Sequence, residues 1–367
     1  MTKTNYAVAP GKYLEEWLED QGMTQAEVAA RLGCSRKFVN EIVNGHASIT
    51  PTTANMLERV TGIKSESWLR IEATYRADLS RLAEQEALAA YAPEIPTQVA
   101  SLLRKLGMMT ATLRNPGEFV SQFLTFHGYG TWAAYLDSLE SNHSGEYALA
   151  MLKDAKSSVD PHSLKTWIRL AERTEAYESG RNQAFNETKL RELLPDLKKR
   201  AAVSDGNLFR DLAALLARAG VIFIAIEPPA KLPVLGVTWW IDGKIPVIQQ
   251  TGRWAKDGFA IWTFFHEIGH ILNDPRGEMH LEYSTAKKRS SAAEKRANEF
   301  ASNILFGPDG VAQFKNLRFD HEITQLSEKI GIAPGVAVVQ MHRRRYLDYH
   351  LGNRLLNDLS GSFATTF

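Results

Sequence analysis

The chain has 367 residues, a net charge of +1 and one cysteine, Cys34. Hydrophobic residues make up 44% and charged residues 23%, which is typical of a globular protein and excludes a disordered or fibrous one. The length is sufficient for two or three domains. A single cysteine excludes an internal disulfide and favours a reducing compartment. Because the N-terminus lacks a signal-peptide core and no run approaches about 18 apolar residues, we expect a cytoplasmic protein without a membrane partner.

Two short helices joined by a glycine turn are predicted near the start of the chain. The segment TQAEVAARL (24–32) opens with an N-cap Thr24 and has Glu27 three residues later, which is a capping box. Gly33 ends this helix, and RKFVNEIVNG continues as a second helix. Side chains exposed at the start of the first helix and along the second can reach phosphates and base edges. The candidate DNA-binding residues are Gln25, Ser35, Arg36, Lys37, Asn40 and Asn44.

The whole stretch PGKYLEEWLEDQGMTQAEVAARLGCSRKFVNEIVNGHASITPTTANMLERVTGIKSESWL resembles the HigA-type helix-turn-helix antitoxins of the XRE family. This resemblance implies binding to a palindromic, double-stranded operator by a homodimer. Residues 1–80 carry nine Lys and Arg against ten Asp and Glu. The net charge therefore does not favour DNA, so affinity must come from Arg36 and Lys37 placed locally and should depend strongly on salt.

The region after this motif is predicted to be helical. Helices at 52–60 and 65–88 complete a five-helix unit, and YAPEIPTQ (91–98) reads as a linker because it has two prolines. From 97 to 200, helical patterns are separated by NPGE, SNHSGE and SSVDP, and this middle region indicates no chemistry. A further helix at 207–220 ends at a glycine.

Strands are predicted next. The apolar run VIFIAI (221–226) precedes LGVTWWI (235–241) and IPVIQQ (245–250), which are joined by an Asp-Gly turn and so predict a hairpin. We expect this small sheet to pack on the helix that follows. In metalloproteases of similar layout an edge strand binds extended substrate, so we expect segment 235–239 or 247–250 to line the cleft.

The segment FAIWTFFHEIGHILN (259–273) carries an HExxH motif on a helical apolar pattern. Since positions i and i+4 share one face of a helix, His266 and His270 present two imidazoles in the same direction. Glu267 is placed to accept a proton from a water molecule held by the metal, as in zinc hydrolases with this motif.

A third ligand is expected from a second helical segment, SAAEKRANEFASNILF (291–306). Glu294 is the main candidate, and Asn298, one turn later, is predicted to hold the other ring nitrogen of one histidine. Three alternatives remain open and rank lower, because two lie in a loop with Gly and Pro and one is offset from Glu294. They are His280, Glu278 and Glu299.

The runs VIFIAIEPP, LGVTWWIDGKIPVIQQ, WTFFHEIGHIL and AEKRANEFASNILFGP together resemble the ImmA/IrrE family of metallopeptidases, and GIAPGVAVVQMH resembles its C-terminal pattern. The resemblance implies a gluzincin-like site, with zinc bound by His266, His270 and Glu294 and with Glu267 as the catalytic base. The apolar helical hairpin in ITQLSEKIGIAPGVAVVQM (323–341) is predicted to cover this domain.

The sequence thus predicts a multidomain α+β protein: a helix-turn-helix domain at 1–90, a helical middle at 97–200, a peptidase domain at 201–310 and a helical extension at 311–367. The expected function is a DNA-binding transcriptional regulator whose zinc endopeptidase cleaves itself or another regulator on a signal. The alternative is an antitoxin that neutralises a small RelE-like or HigB-like toxin and represses its own operon, with the metal domain as a non-catalytic sensor.

Overall fold

The computed structural model describes residues 6–140, 159–252, 255–283 and 291–362. Contacts divide the chain into two compact units, one formed by Met1–Glu94 and Thr110–Thr125, the other by Ile95–Met109 and Phe126–Phe367. The first division falls within the segment predicted as a linker. In the described ranges, no helix is long and apolar enough to cross a membrane.

Five helices build the N-terminal part of the first unit. They are α1 (Pro10–Asp20), α2 (Gln25–Leu32), α3 (Arg36–Val43), α4 (Pro51–Thr61) and α5 (Ser65–Leu88). The predicted capping box is confirmed, because the Thr24 side chain accepts from the Glu27 N–H and Glu27 accepts from the Thr24 N–H. Gly33 has a φ of 68°, the left-handed conformation that lets α2 end and α3 begin three residues later, at Arg36.

The core of this unit forms where α1 packs directly on α3. A Cβ on Gly11 would lie 2.2 Å from the carbonyl oxygen of Ile42, so only glycine permits this approach. Trp68 of α5 is fully buried in the same cluster. The predicted five-helix unit is therefore present. It has its own hydrophobic core, and the polar side of α3 is exposed to solvent.

More helices follow, as the periodicity of the middle region predicted. α6 (Thr97–Lys105) lies in the second unit, and α7 (Pro116–His127) begins in the first unit and ends in the second. The other helices of the second unit before the sheet are α8 (Trp132–Glu140), α9 (Pro161–Ala171), α10 (Glu175–Gly180), α11 (Glu187–Ala201) and α12 (Leu208–Ala217). The predicted SNHSGE break, at 141–146, lies outside the described residues.

A four-stranded sheet follows, with strands β1 (Ile222–Ala225), β2 (Val234–Ile241), β3 (Ile245–Gln250) and β4 (His280–Tyr283). The strand order is β1-β3-β2-β4. β2 and β3 form the predicted antiparallel hairpin, β1 runs parallel to β3, and β4 runs antiparallel to β2. The small sheet is thus mixed, and its two edges are β1 and β4.

Two expectations about this sheet were wrong. The segment that contains His280 was predicted as a loop, but it forms β4 by pairing with β2. Segments 235–239 and 247–250 were expected to offer an open edge to a substrate, but β2 and β3 are both internal strands. Their main-chain groups are used on both sides, so an extended peptide can pair only with β1 or β4.

The HExxH segment forms α13 (Asp257–Asn273), and all of its residues except Phe259 and Asn273 are buried. α13 packs against β2 and β3 and against two further helices, α14 (Ala292–Phe306) and α16 (Pro334–Arg343). α15 (Asp320–Ile330) precedes α16 as the other half of the predicted hairpin. α16 is buried from Gly335 to His342, so it belongs to the core rather than to a DNA-reading surface.

Gly269 is where α13 and α14 come closest. A Cβ at this position would lie 2.9 Å from the Ala297 Cα, a backbone atom that cannot turn away. Alanine gains about 1 kcal/mol of helix propensity over glycine, while overpacking a tight contact costs about 1–3 kcal/mol. We predict that Gly269→Ala lowers the free energy of unfolding, measured by urea denaturation. Gly206→Ala is the control, since a Cβ there meets nothing within 4 Å; equal stability of both variants would contradict the prediction.

Candidate metal centre and nucleic-acid interface

His266 and His270 project from one face of α13 into the interior. Their relative exposures are 0% and 2%, and their Nε2 atoms lie 3.1 Å apart. At this distance one ring can donate its N–H to the other ring. If both Nε2 atoms are unprotonated, both can instead offer their lone pairs to one metal ion. The two histidines of the motif are thus placed to bind one metal ion together.

Glu294 of α14 completes a three-donor cluster. Its Oε2 lies 3.4 Å from the Nε2 of His266, and its Oε1 lies 3.8 Å from the Nε2 of His270. Ligand atoms about 2.0–2.1 Å from a tetrahedral zinc ion lie about 3.3 Å apart. The three donors lie within 4.8 Å of one another, so small rotations would bring them to that spacing. Of the four candidates for a third ligand, Glu294 is the one whose carboxylate faces both histidines.

The other ring nitrogen of His270 is held by Asp274, a residue that the sequence did not suggest. The Nδ1 of His270 and Oδ2 of Asp274 are 2.7 Å apart, and the other oxygen of Asp274 accepts from Arg296 of α14. A carboxylate on Nδ1 directs the lone pair of Nε2 toward a metal and makes it a stronger donor. The ring of His280 stacks on that of His270, with centroids 4.1 Å apart and planes inclined by 2°.

Asn298 does not have the predicted contact. Its side-chain amide donates to the carbonyl oxygen of Glu294, at 2.7 Å, while Asp274 holds His270. The Nδ1 of His266 is buried and has no hydrogen-bond partner among the described residues. Of the other ligand alternatives, His280 stacks on His270 and forms with His270 and Asp274 a second group of three side chains that could hold a metal ion. The Glu278 carboxylate lies 3.7 Å from His280, and Glu299 is exposed.

Glu267 is fully buried between α13 and β2. Thr238 of β2 donates its hydroxyl to the Oε2 of Glu267 at 2.6 Å, and Oε1 has no partner within the described part of the chain. A Cβ on Gly236 would lie 2.5 Å from that Oε1, so glycine leaves the room that this carboxylate needs. One oxygen of Glu267 is therefore fixed by Thr238, and the other is buried without a hydrogen-bond partner among the described residues.

Burial and mutual charge set the protonation of this cluster. Burial raises the pKa of Glu267 to about 8, against the opposing effect of His266. Burial also lowers the pKa of His270 to about 4, with the charge of His266 as the next cause. For His266, burial lowers the pKa, but the hydrogen bond that it donates to Glu294 and the charges of Glu282 and Glu267 raise the pKa to about 9. Such opposed shifts in one pocket are typical of functional sites.

Glu282 of β4 is another carboxylate at this site that the sequence did not suggest. Its Oε2 lies 3.5 Å from the Nε2 of His266, nearly the same distance as that of Glu294. The only sequence signal was the alternation of His280 and Glu282, which on a strand places both on one face. That signal becomes readable only when the segment is known to be a strand.

The candidate DNA-binding residues lie together on the first unit. Arg36, Lys37, Asn40 and Asn44 are exposed along α3 or at its end, and Gln25 is half-buried at the start of α2. Ser35 is the N-cap of α3, because its hydroxyl accepts from the N–H of Phe38. The Asn44 amide donates to Asn40, and Lys37 pairs loosely with Glu41 at 3.8 Å. The N-terminal end of α3 thus presents a polar, partly basic surface of the kind that enters a major groove.

A helix-turn-helix family model matches residues 14–69. The chain is also similar to virulence-associated protein I of Dichelobacter nodosus, with 38% identity over 81 residues that cover 22% of this chain and 72% of that protein. No solved structure matches the chain. Through its N-terminal segment the chain belongs to the helix-turn-helix family, and this XRE-type motif makes it a DNA-binding regulator.

The Asp274 contact generates a prediction for metal binding. Asp274→Ala removes the acceptor from the Nδ1 of His270 and should weaken binding of Zn²⁺, used as a probe, by about 10–100-fold. The measurement is competition against a chromophoric chelator. Arg296→Ala is the matched control, because it removes the other partner of Asp274 but leaves the contact with His270 in place. An equal loss in both variants would show that the ion pair, and not the histidine contact, matters.

The exposed residues of α3 generate a second prediction. Each phosphate contact contributes about 0.9 to the slope of log affinity against log salt concentration. We expect Arg36→Ala and Lys37→Ala each to lower that slope by about 0.9 on duplex DNA, measured by fluorescence anisotropy. Lys64→Ala, at an exposed lysine next to α5, serves as control. Slopes unchanged from wild type in both α3 variants would rule out phosphate contacts by these residues.

Proposed function

We propose that this chain is a transcriptional regulator with a zinc-dependent endopeptidase centre of the ImmA/IrrE type. One observation carries the proposal: two histidines and Glu294 converge within 4.8 Å, beside a buried carboxylate, Glu267, that is not part of that cluster. Three ligands and a separate proton acceptor are the minimum that a hydrolytic zinc site requires. The HExxH motif alone would supply only two of these ligands, His266 and His270.

The donor set fits zinc by its chemistry. Two imidazole nitrogens and one carboxylate suit a borderline-soft divalent ion with tetrahedral preference, whereas calcium and magnesium prefer oxygen ligands. The carboxylate Asp274 behind His270 is the partner that ligating histidines commonly have. When bound, zinc supplies Lewis acidity, which makes water more acidic and a peptide carbonyl more electrophilic.

Glu267 is the proton carrier in this proposal. Its Oε2 is held by Thr238, so the unpartnered Oε1 is the atom that accepts a proton from the attacking water and then delivers it to the leaving amine. Burial raises the pKa of the carboxyl, which makes it a better base once it is ionised. Charge from a divalent cation at the neighbouring histidines would favour that ionised form.

The substrate is proposed to be a regulator protein, either another copy of this chain or a separate partner. The support is that a DNA-binding motif and a peptidase-like centre occur in the same polypeptide. Cleavage of a DNA-bound regulator by this centre would release that regulator from the DNA. We further propose that the protein works in the cytoplasm as a homodimer on a palindromic operator. This is the usual way for helix-turn-helix proteins to match two half-sites.

Elemental analysis tests the metal centre first. We expect one zinc per chain in wild type purified without chelator, and its loss in His270→Ala and Glu294→Ala, because each variant removes one of three ligands. Glu267→Gln should keep the metal, since Glu267 does not belong to the ligand cluster. Wild type without metal would refute the proposed centre.

Cleavage is tested with the same proteins. Zinc-loaded wild type, alone and with duplex DNA from the region upstream of its own gene, is incubated and checked for new termini by mass spectrometry. Glu267→Gln should abolish any cleavage by at least about 100-fold while metal content is unchanged. Cleavage that persists in Glu267→Gln would assign it to another protease.

An antitoxin is the second candidate function. It is favoured by the resemblance of residues 10–69 to HigA-type antitoxins, within which the helix-turn-helix model matches residues 14–69. In this case the metal domain would be a non-catalytic sensor. A small toxin of the RelE or HigB class would then be the partner. Co-expression with a small basic protein encoded beside this gene distinguishes the two functions. The antitoxin is favoured if the two proteins co-purify and if Glu267→Gln neutralises the toxin as well as wild type does.

A further inference from the structure

The short strand β4 brings two side chains to the metal cluster. His280 and Glu282 are two residues apart, so they lie on the same face of the strand. Residues two apart on a strand are separated by about 6.6 Å, and residues four apart on a helix advance by about 6.0 Å. This match lets His280 stack on His270 while Glu282 meets His266.

The backbone around Glu282 is built to bring it close. In the register of β2 with β4, Gly236 lies opposite Glu282, and an irregularity separates this pair from the pair of Val234 with Tyr283. A β-bulge of this kind re-aims a side chain, and such bulges are common beside active sites. Gly236 also faces Glu267. The same glycine of β2 therefore lies next to both carboxylates, and its missing side chain leaves room for Glu267.

We propose that Glu282 is a fourth protein ligand of the metal centre and closes the position that a water molecule or substrate carbonyl would take. The inference rests on the metal site of the proposed function. Its Oε2 is 3.5 Å from the Nε2 of His266, close to the roughly 3.3 Å expected between two ligands of one tetrahedral ion. Glu294, on the other side of His266, is at 3.4 Å.

The surroundings of Glu282 are compatible with this role. Its side chain is 15% exposed, so the carboxylate has little solvent around it. The positive charges that face it within the protein are the protonated form of His266 and the guanidinium of Arg343. A divalent ion held by the histidines would add a further favourable interaction with this carboxylate.

A closed centre has a functional consequence. With four protein ligands, zinc has the composition of a structural site, whereas three ligands and an open position define a catalytic one. Glu282 belongs to an edge strand of four residues that pairs only with β2. Short edge strands are among the first elements to open locally. Displacement of Glu282 is therefore the step that converts the latent centre into an active one.

The test compares the full-length wild type with Glu282→Gln and Glu282→Ala, and with Glu299→Gln as the matched control. Glu299 is an exposed glutamate on the same helix as Glu294. Zinc affinity is measured by competition with a chromophoric chelator, and the coordination of the Co²⁺ forms is followed by visible absorption. Loss of a ligand should weaken zinc binding by at least about tenfold and change the Co²⁺ spectrum, with Glu299→Gln unchanged.

An open position is detected with acetohydroxamate, a small chelating probe. We expect the Co²⁺ form of Glu282→Ala to show the spectral change of probe binding at a concentration at least about tenfold lower than wild type does, since no protein ligand must be displaced. Identical zinc affinity, Co²⁺ spectrum and probe binding in wild type and in both Glu282 variants would overturn the proposal. If wild type binds no metal, the proposed function itself fails; if wild type binds one zinc and the Glu282 variants do so equally, only Glu282 as ligand fails.

Misfolding is separated from ligand loss by urea unfolding of the metal-free proteins. If Glu282 acts only as a metal ligand, Glu282→Gln should keep the metal-free free energy of unfolding of wild type. A variant that binds zinc more weakly and is also less stable without metal would count against a ligand role.

Discussion

The close packing of α13 on α14 is the constraint on which the candidate metal site depends. Gly269 and Ala297 let the two backbones approach to a distance that no larger side chain would allow. That approach places Glu294, one turn before Ala297, opposite the two histidines of α13. On the sheet side of α13, Gly236 of β2 likewise allows a close approach, here to the side chain of Glu267. Two positions without side chains thus decide where the chemically active side chains meet.

Electrostatics shows why a bound cation would stabilise this arrangement. Three carboxylates, Glu267, Glu282 and Glu294, face two imidazoles in a pocket from which water is largely excluded. Burial raises the pKa of Glu267 to about 8 and lowers that of His270 to about 4. Burial therefore favours the neutral form of both groups. A divalent ion removes this conflict, because it favours ionised carboxylates and neutral imidazoles at once.

The parts of the site that the sequence predicted are those that a local pattern encodes. His266, Glu267 and His270 belong to one helix, and a spacing of four residues determines their common face. The capping box of α2 and the glycine turn before α3 are likewise local, and both were correct. Glu294 needed one further step, from one helix to the next, and the structure brings it to both histidines.

The parts that were missed depend on long-range pairing or on competition between local partners. β4 is only four residues long, and although polar and apolar residues alternate along it, so short a run does not predict a strand by itself; it forms because β2 offers an open side. Without that strand neither Glu282 nor the stacking of His280 could be foreseen. Asp274 had a weak signal, as it lies four residues after His270, but it follows the last helical residue. The Asn298 expectation failed because its own helix provides a carbonyl acceptor at i−4.

The strand order links substrate binding to the state of the metal centre. Since β2 and β3 are internal, a peptide that adds to the sheet beside the metal must pair with the free side of β4. Main-chain pairing there would hold the peptide next to the backbone of Glu282, the residue that approaches His266. Any adjustment of β4 to accept a new neighbour moves Glu282 relative to α13. In the proposed function, binding of an extended substrate at β4 and release of Glu282 from the proposed metal site would therefore be one coupled movement of this strand.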